Sequence, residues 1–335
     1  MKWPETVVAT PSGLKRAIAP LVISASRATD IPAFHAQWFM DRVRAGYCLW
    51  QNPFNAGQQR YISFERCAVI VFWSKDPQPL LPFLAEIEAR GFRYYFQFTL
   101  NDYVREGFEP GLPPLARRIA TFQELSRRIG RERVIWRFDP IILGPGIGVA
   151  TILERLYSLA EKLAPHTEKL VFSFLDMYKN TALRLRRLDP RFRAPDGEEA
   201  LAIARGLARL NAGLSRPLRL GACAEYLDLR DLGVEKNSCI DADLLRRLCP
   251  ENTEIQRTYA EEYPQRQGSL LTLRKGTGRR APRDKGQRPA CGCAPAKDIG
   301  RYNTCPHLCA YCYANSSEAQ VRREAARTDS GRERL

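Results

Sequence analysis

Three cysteines near the end of the chain, Cys305, Cys309 and Cys312, follow the spacing C-x3-C-x2-C on what reads as a single loop. Thiolates spaced in this way can each reach a different iron of a cubane [4Fe-4S] cluster. One iron is then left without a cysteine and is open to a small chelating ligand, for which Tyr311, next to the last cysteine, offers an aromatic wall. The competing chemistry is structural zinc, which takes four ligands, and His307 inside the loop is a candidate for the fourth. Cys291 and Cys293 form a C-x-C pair just upstream, in a stretch with little to pack against. Together with Cys223 and Cys239 they would complete a second cluster or a zinc site. Taken singly, Cys223 and Cys239 also read as small buried hydrophobes, and Cys48, Cys67 and Cys249, with apolar neighbours, as core.

The residues before Leu21 carry charges and prolines where a signal peptide needs an apolar run, and the longest apolar stretches are strand-sized. A cytoplasmic protein without membrane spans is therefore expected, and close cysteine spacing in a reducing compartment points to metal or redox chemistry rather than disulfides. Lys and Arg number 52 against 37 acidic residues, a formal charge of +15 that favours anionic partners such as a nucleic acid or nucleotide. The same excess also suits a merely arginine-rich surface. A composition of 44% hydrophobic and 27% charged residues excludes wholesale disorder in these 335 residues.

The elements that must position this chemistry alternate. Short runs rich in β-branched and aromatic residues (21–26, 69–73, 94–98, 134–136, 170–174 and 219–222) read as buried parallel strands. Stretches of helical period lie between them, clearest where Leu115, Ile119, Phe122, Leu125 and Ile129 share a face. An α/β fold with crossovers follows, a barrel or a doubly wound sheet. Polar residues recur just after the strands: Arg27 and Asp30, Ser74 and Lys75, Gln97 and Thr99, Arg137 and Asp139, Asp176, then Cys223 and Glu225. That recurrence favours a (β/α) barrel, which collects its chemistry at one mouth. There Arg27 and Arg137 suit a carboxylate or phosphate, while acid–base work falls to Asp30, Lys75, Asp139, Asp176 and Glu225. Individually, Asp30 and Asp139 also suit helix caps or turns, and Asp176 a solvated loop.

The stretch from Asp298 to Asn315, with Cys305-Pro306-His307 at its entry and Tyr311-Cys312-Tyr313-Ala314 at its exit, resembles the cluster loop of radical S-adenosylmethionine (SAM) enzymes of the spore photoproduct lyase-like branch. More broadly, the chain resembles the DUF1848 family. The resemblance runs through Ile23 to Pro32, Phe72 to Lys75, Phe96 to Thr99, Trp136 to Pro140, Cys223-Ala224-Glu225 and Cys239-Ile240-Asp241. In ordinary radical SAM enzymes the cysteine loop follows the first strand, so the resemblance implies a partial TIM-like barrel, circularly permuted, with its cluster loop at the C-terminus. It also implies SAM as cofactor, an electron donor such as flavodoxin or ferredoxin, and 5′-deoxyadenosyl radical chemistry on an unidentified substrate.

The expected organisation is an N-terminal extension (1–20), the barrel (21–267), a basic linker (268–290), a cysteine-rich tail closing the barrel (291–327) and a disordered end (328–335). Two rivals remain at this level. One is a nucleic-acid-binding protein with a structural iron-sulfur or zinc site, and the other a metal-dependent phosphoesterase barrel built on Asp30, Asp139, Asp176 and Glu225.

Overall fold

The computed structural model describes residues 3–260, 282–284, 286–326 and 331–335. The chain runs through β1 (Glu5–Thr10), β2 (Gly13–Ile18), β3 (Val22–Ala25), α1 (Ile31–Phe34), α2 (Ala36–Ala45), β4 (Tyr47–Asn52), β5 (Asn55–Ser63) and β6 (Val69–Ser74). It continues through α3 (Leu84–Ala89), β7 (Arg93–Thr99), α4 (Leu115–Ile129), β8 (Val134–Ile141), α5 (Val149–Leu163), β9 (Lys169–Phe174), α6 (Lys179–Leu188) and α7 (Gly197–Ala212). The last elements are β10 (Arg219–Ala222), β11 (Val234–Lys236), α8 (Ala242–Leu248), α9 (Thr253–Thr258), β12 (Lys297–Asp298) and α10 (Glu318–Ala325).

Among the described residues the large sheet has eight strands in the order β11-β10-β9-β8-β7-β6-β3-β12. Every pairing in it is parallel. Side chains alternate between its faces with period two. Ile23, Ile70, Phe72, Phe96, Trp136, Phe172 and Leu220 point to one face, where α2 to α7 bury them in the main core. Val22, Val69, Val71, Tyr95, Ile135 and Val171 point to the other, under α8, α9 and the segment Cys291–Ala294. Towards the carboxyl ends of the strands this second face turns polar, with Trp73, Gln97, Arg137 and Ser173 continuing the same alternation.

The expected closed barrel is corrected by this topology: the sheet is open, with β11 and β12 as its edges. The reason is local. Beyond β11 the chain does not pair with β12 but meets the strip before it, where Ala294 N donates to Ile240 O at 3.0 Å. That strip and α8 cover the second face in place of a ladder. β12 does lie beside β3, so the last strand in the chain precedes the first in space.

Three further expectations change. The N-terminal extension is structured, because β1 and β2 join β5 and β4 in a four-stranded sheet. Its strands had read as polar because only one face packs, around Val8, Ala17 and Tyr47. This sheet also takes residues 47–63 out of the supposed barrel. In the terminal stretch expected to be disordered, residues 331–335 pack onto it: Leu49 N donates to Glu333 O at 2.7 Å, and Leu335 is buried. Most of the basic linker, including Arg274, Lys275, Arg279, Arg280 and Lys285, lies outside the described residues. No helix among the described residues is long and apolar enough to cross a membrane.

Candidate metal centre

The cysteine loop begins six residues after β12 and lies over the carboxyl ends of the parallel strands, held there by tethers from several of them. Asp30, which follows β3, is the main one. Its Oδ1 caps α1 by accepting from Ala33 N (3.0 Å) and also accepts from Ser74 Oγ (2.7 Å), while Oδ2 accepts from Lys75 N (2.7 Å). The same Oδ2 meets His307 Nε2 at 2.8 Å. The other ring nitrogen of His307 faces Gly111 O at 3.3 Å, so both nitrogens are engaged. His307 is therefore an anchor of the loop, with both ring nitrogens turned to protein partners.

Gly111, after β7, touches the loop backbone directly: its N–H donates to His307 O (3.1 Å), and an added Cβ would stand 2.4 Å from Pro306 O. Arg184 on α6 donates to Ala310 O (2.9 Å), to Asn315 O (2.7 Å) and to Cys312 O. Each tether satisfies a loop carbonyl or side chain that would otherwise be buried unpaired.

Beside the loop, Tyr311 Oη sits in a buried polar knot. Lys75 Nζ donates to it at 2.7 Å, Asn101 Nδ2 lies at 3.2 Å, and Tyr311 donates to Glu109. Lys75 Nζ also pairs with Glu109 Oε1 at 2.8 Å. Burial pushes the Glu109 carboxyl up, but Lys75 and Arg118 outweigh it and hold the group below its ordinary range. Glu109, Asn101 and Arg118 were not read from the sequence. The signal was present, since Asn101 lies just beyond Thr99 in the polar run that follows β7.

Cys309 is buried, and Cys305 and Cys312 are half-buried. Burial, and then the neighbouring charges of Asp30, Cys309 and Cys312, push Cys305 well up, while burial takes Cys309 to about 12.

The other four cysteines also converge. Cys223, one residue past β10, has its Sγ 3.4 Å from that of Cys239. Cys293 Sγ accepts from Cys239 N (3.2 Å) and Ile240 N (3.4 Å), and its thiol is in contact with those of Cys239 and Cys291. Arg137 and Arg27 belong with this group. Arg137 Nη1 donates to Cys239 Sγ (2.9 Å), its Nε to Asp139 Oδ2 (3.1 Å), and both guanidiniums lie over the Trp73 ring, at 5.2 Å for Arg27 and 5.3 Å for Arg137. At 3% exposure Arg137 cannot face an open mouth.

The remaining mouth residues are dispersed. Asp139 is locked to Arg137 and Ser173, and Arg137 outweighs burial to hold its carboxyl low. Glu225 accepts from Phe174 N at 2.9 Å, and burial, then Asp176, raise its carboxyl to about 7. Asp176 is exposed and pairs with Arg288. Cys48, Cys67 and Cys249 are buried in apolar surroundings as expected. As they stand, no three His, Cys, Asp or Glu side chains among the described residues are arranged to hold a metal ion.

Around the loop a row of aromatic rings, exposed at Phe54, Tyr313 and Tyr178 and half-buried at Tyr302, runs from Phe54 to Tyr302 (5.9 Å), Tyr313 (6.0 Å) and Tyr178 (5.9 Å).

Fold and site together define an open, parallel α/β protein whose cysteine-bearing tail returns to the carboxyl ends of its strands. The chain belongs to the DUF1848 family, a domain of unknown function, whose model matches residues 22–314. No curated protein and no solved structure matches it.

Proposed function

We propose that this chain is a radical SAM-type enzyme in which Cys305, Cys309 and Cys312 hold a [4Fe-4S] cluster. The observation that carries the reading is the placement of the cysteine loop. It follows an edge strand parallel to β3 and is tied by Asp30, Lys75, Gly111 and Arg184 over the carboxyl ends of the strands, where α/β proteins bind ligands. Three thiols fit a cluster with one iron left for a ligand. The order of β12 before β3 in space is what a permuted version of such an enzyme requires.

Cys305, Cys309 and Cys312 would hold the cluster, which would supply one-electron reductive chemistry to bound SAM, with the electron coming from a donor such as flavodoxin or ferredoxin. The chain's own residues position and exclude water. Asp30 and Arg184 fix the loop backbone, and Lys75, Glu109 and Asn101 hold Tyr311 in one rotamer beside Cys312. The substrate remains anionic and planar in this reading, a nucleotide or nucleic acid, supported by the +15 charge and by the aromatic row beside the loop.

The phosphoesterase rival has less support, because Asp30, Asp139, Asp176 and Glu225 are each engaged by other partners.

The test is anaerobic reconstitution followed by iron and sulfide analysis and electron paramagnetic resonance. A cluster signal that SAM perturbs, 5′-deoxyadenosine after dithionite reduction, and loss of the signal in Cys305→Ala, Cys309→Ala or Cys312→Ala are expected. A signal indifferent to saturating SAM would leave a structural cluster instead.

A further inference from the structure

The second group of thiols is assembled from three separated parts of the chain: Cys223 past β10, Cys239 past β11, and Cys291 with Cys293 before β12. Thiols this close are either ligands of one ion or a packing accident, and the surroundings distinguish the two. A packed thiol is met by carbon alone, whereas Cys239 and Cys293 are met by donors as well. Cys239 Sγ accepts from Arg137 Nη1 (2.9 Å) and Asn237 Nδ2 (3.0 Å), and Cys293 Sγ accepts from two backbone N–H groups. Donors aimed at sulfur stabilise thiolate. Arg27 adds a second guanidinium, whose Nη2 is buried without a hydrogen-bond partner.

The backbone is fitted to bring these parts together. A Cβ on Gly292, between the paired cysteines, would stand 2.7 Å from Ser238 Oγ, and one on Gly221 would stand 3.0 Å from Asn237 Oδ1. Gly292 O accepts from Ser238 Oγ at 2.9 Å, and Ala294 N donates to Ile240 O at 3.0 Å. The strip carrying Cys291 and Cys293 is thus stitched to the segment carrying Cys239.

We propose that Cys223, Cys239, Cys291 and Cys293 form a mononuclear tetrahedral thiolate site for a soft divalent cation, zinc above all, which pins the tail across the open side of the sheet. The spacing selects one ion over a cluster. A zinc–sulfur bond of ~2.3 Å makes the edge of the tetrahedron ~3.8 Å. The Cys223–Cys239 separation of 3.4 Å needs only a few tenths of an ångström of spreading, whereas the corners of a cubane hold their cysteines out of mutual contact. At 3.4 Å the pair is not a disulfide, and both thiols are free. Four thiolates and one divalent ion leave two negative charges, which the neighbouring guanidiniums of Arg27 and Arg137 offset in part, Arg137 being shared with Asp139. With four protein ligands the site is closed, so its role is structural.

This proposal does not depend on the radical reading, and its test is separable from it. Metal analysis is made on anaerobically purified wild type and on the triple variant Cys305→Ser/Cys309→Ser/Cys312→Ser. About one zinc per chain in both is expected. Wild-type protein exchanged with cobalt should show the sulfur-to-metal charge-transfer and intense visible bands of tetrahedral cobalt thiolate, a readout that needs no variant to fold. Asn237→Ala, which removes one N–H···S bond, should weaken zinc affinity about 10- to 100-fold, and Cys239→Ser should abolish stoichiometric binding. Iron with acid-labile sulfide in the triple variant would overturn the mononuclear site. So would the absence of zinc and cobalt binding in wild type, or a Cys223–Cys239 disulfide in alkylated anaerobic protein.

Discussion

Asp30→Asn isolates the device that seats the cysteine loop, because the two side chains are isosteric and differ only in what one end of the carboxylate can accept. The native carboxylate accepts on both oxygens, from Ala33 N and Ser74 Oγ on one and from Lys75 N and His307 Nε2 on the other. An amide has one acceptor oxygen. In its better orientation the new NH2 group turns towards Ala33 and Ser74. The serine hydroxyl can reverse to accept, but the Ala33 N–H cannot, so the helix cap is lost at a cost of about 1 kcal/mol. The two remaining bonds lose their charge assistance, about 0.5–1 kcal/mol each. The sum is about 2–3 kcal/mol, which corresponds to a fall in Tm of about 3–4 °C at about 2.1 cal/mol/K of unfolding entropy per residue over 335 residues.

Because one of those weakened bonds is the tether to His307, iron per chain after anaerobic reconstitution should fall together with Tm. Circular dichroism melts and iron assays on Asp30→Asn and wild type, prepared side by side, make the measurement. A variant with wild-type Tm and full iron content, but lost turnover, would refute the argument and return Asp30 to the substrate.

Other outcomes follow from the same geometry. Gly111→Ala places a Cβ 2.4 Å from Pro306 O and 2.8 Å from His307 Cα, so a backbone must retreat. The cost is about 1–3 kcal/mol with reduced iron content, while Gly148→Ala, with nothing within 4 Å of its Cβ, should retain full iron in the same assay. At α7, Glu199 closes a capping box with Asp196 and pairs with Arg193, whose hydrogen bond, then that from Asp196 N–H, lowers its carboxyl to about 2. A depressed carboxylate stabilises the fold above its unfolded pKa and ceases to do so as pH falls through the folded one. The Tm difference between wild type and Glu199→Gln should therefore be constant above pH 4.5 and close as pH falls towards about 2, read from melts across that range.

The six apolar runs read as strands all lie in the large sheet, and 219–222 matches β10. They were legible because a parallel strand is buried on both faces and so cannot alternate polar with apolar residues. The Leu115–Ile129 helix was legible for the complementary reason, an apolar stripe of helical period. Spacing alone likewise placed Cys305, Cys309 and Cys312 on one loop, since a loop keeps neighbours in sequence near one another in space.

What composition and period could not decide is anything set by edges and by distant contacts. β1 and β2 pack on one face only, and residues 1–20 read as an extension rather than as strands. Whether eight strands close depends on what the chain does between β11 and β12, and there Ala294 and Ile240 join instead of the two edges. Arg137 reads like a mouth residue, yet strand alternation places it beneath Trp73 against Cys239. Cys223, Cys239, Cys291 and Cys293 were named together from the sequence, but their meeting depends on three separated chain segments that only the fold brings to one place. Nor could the sequence show that His307 would spend both ring nitrogens on Asp30 and Gly111, because a histidine's role is fixed by the partners that folding brings to it.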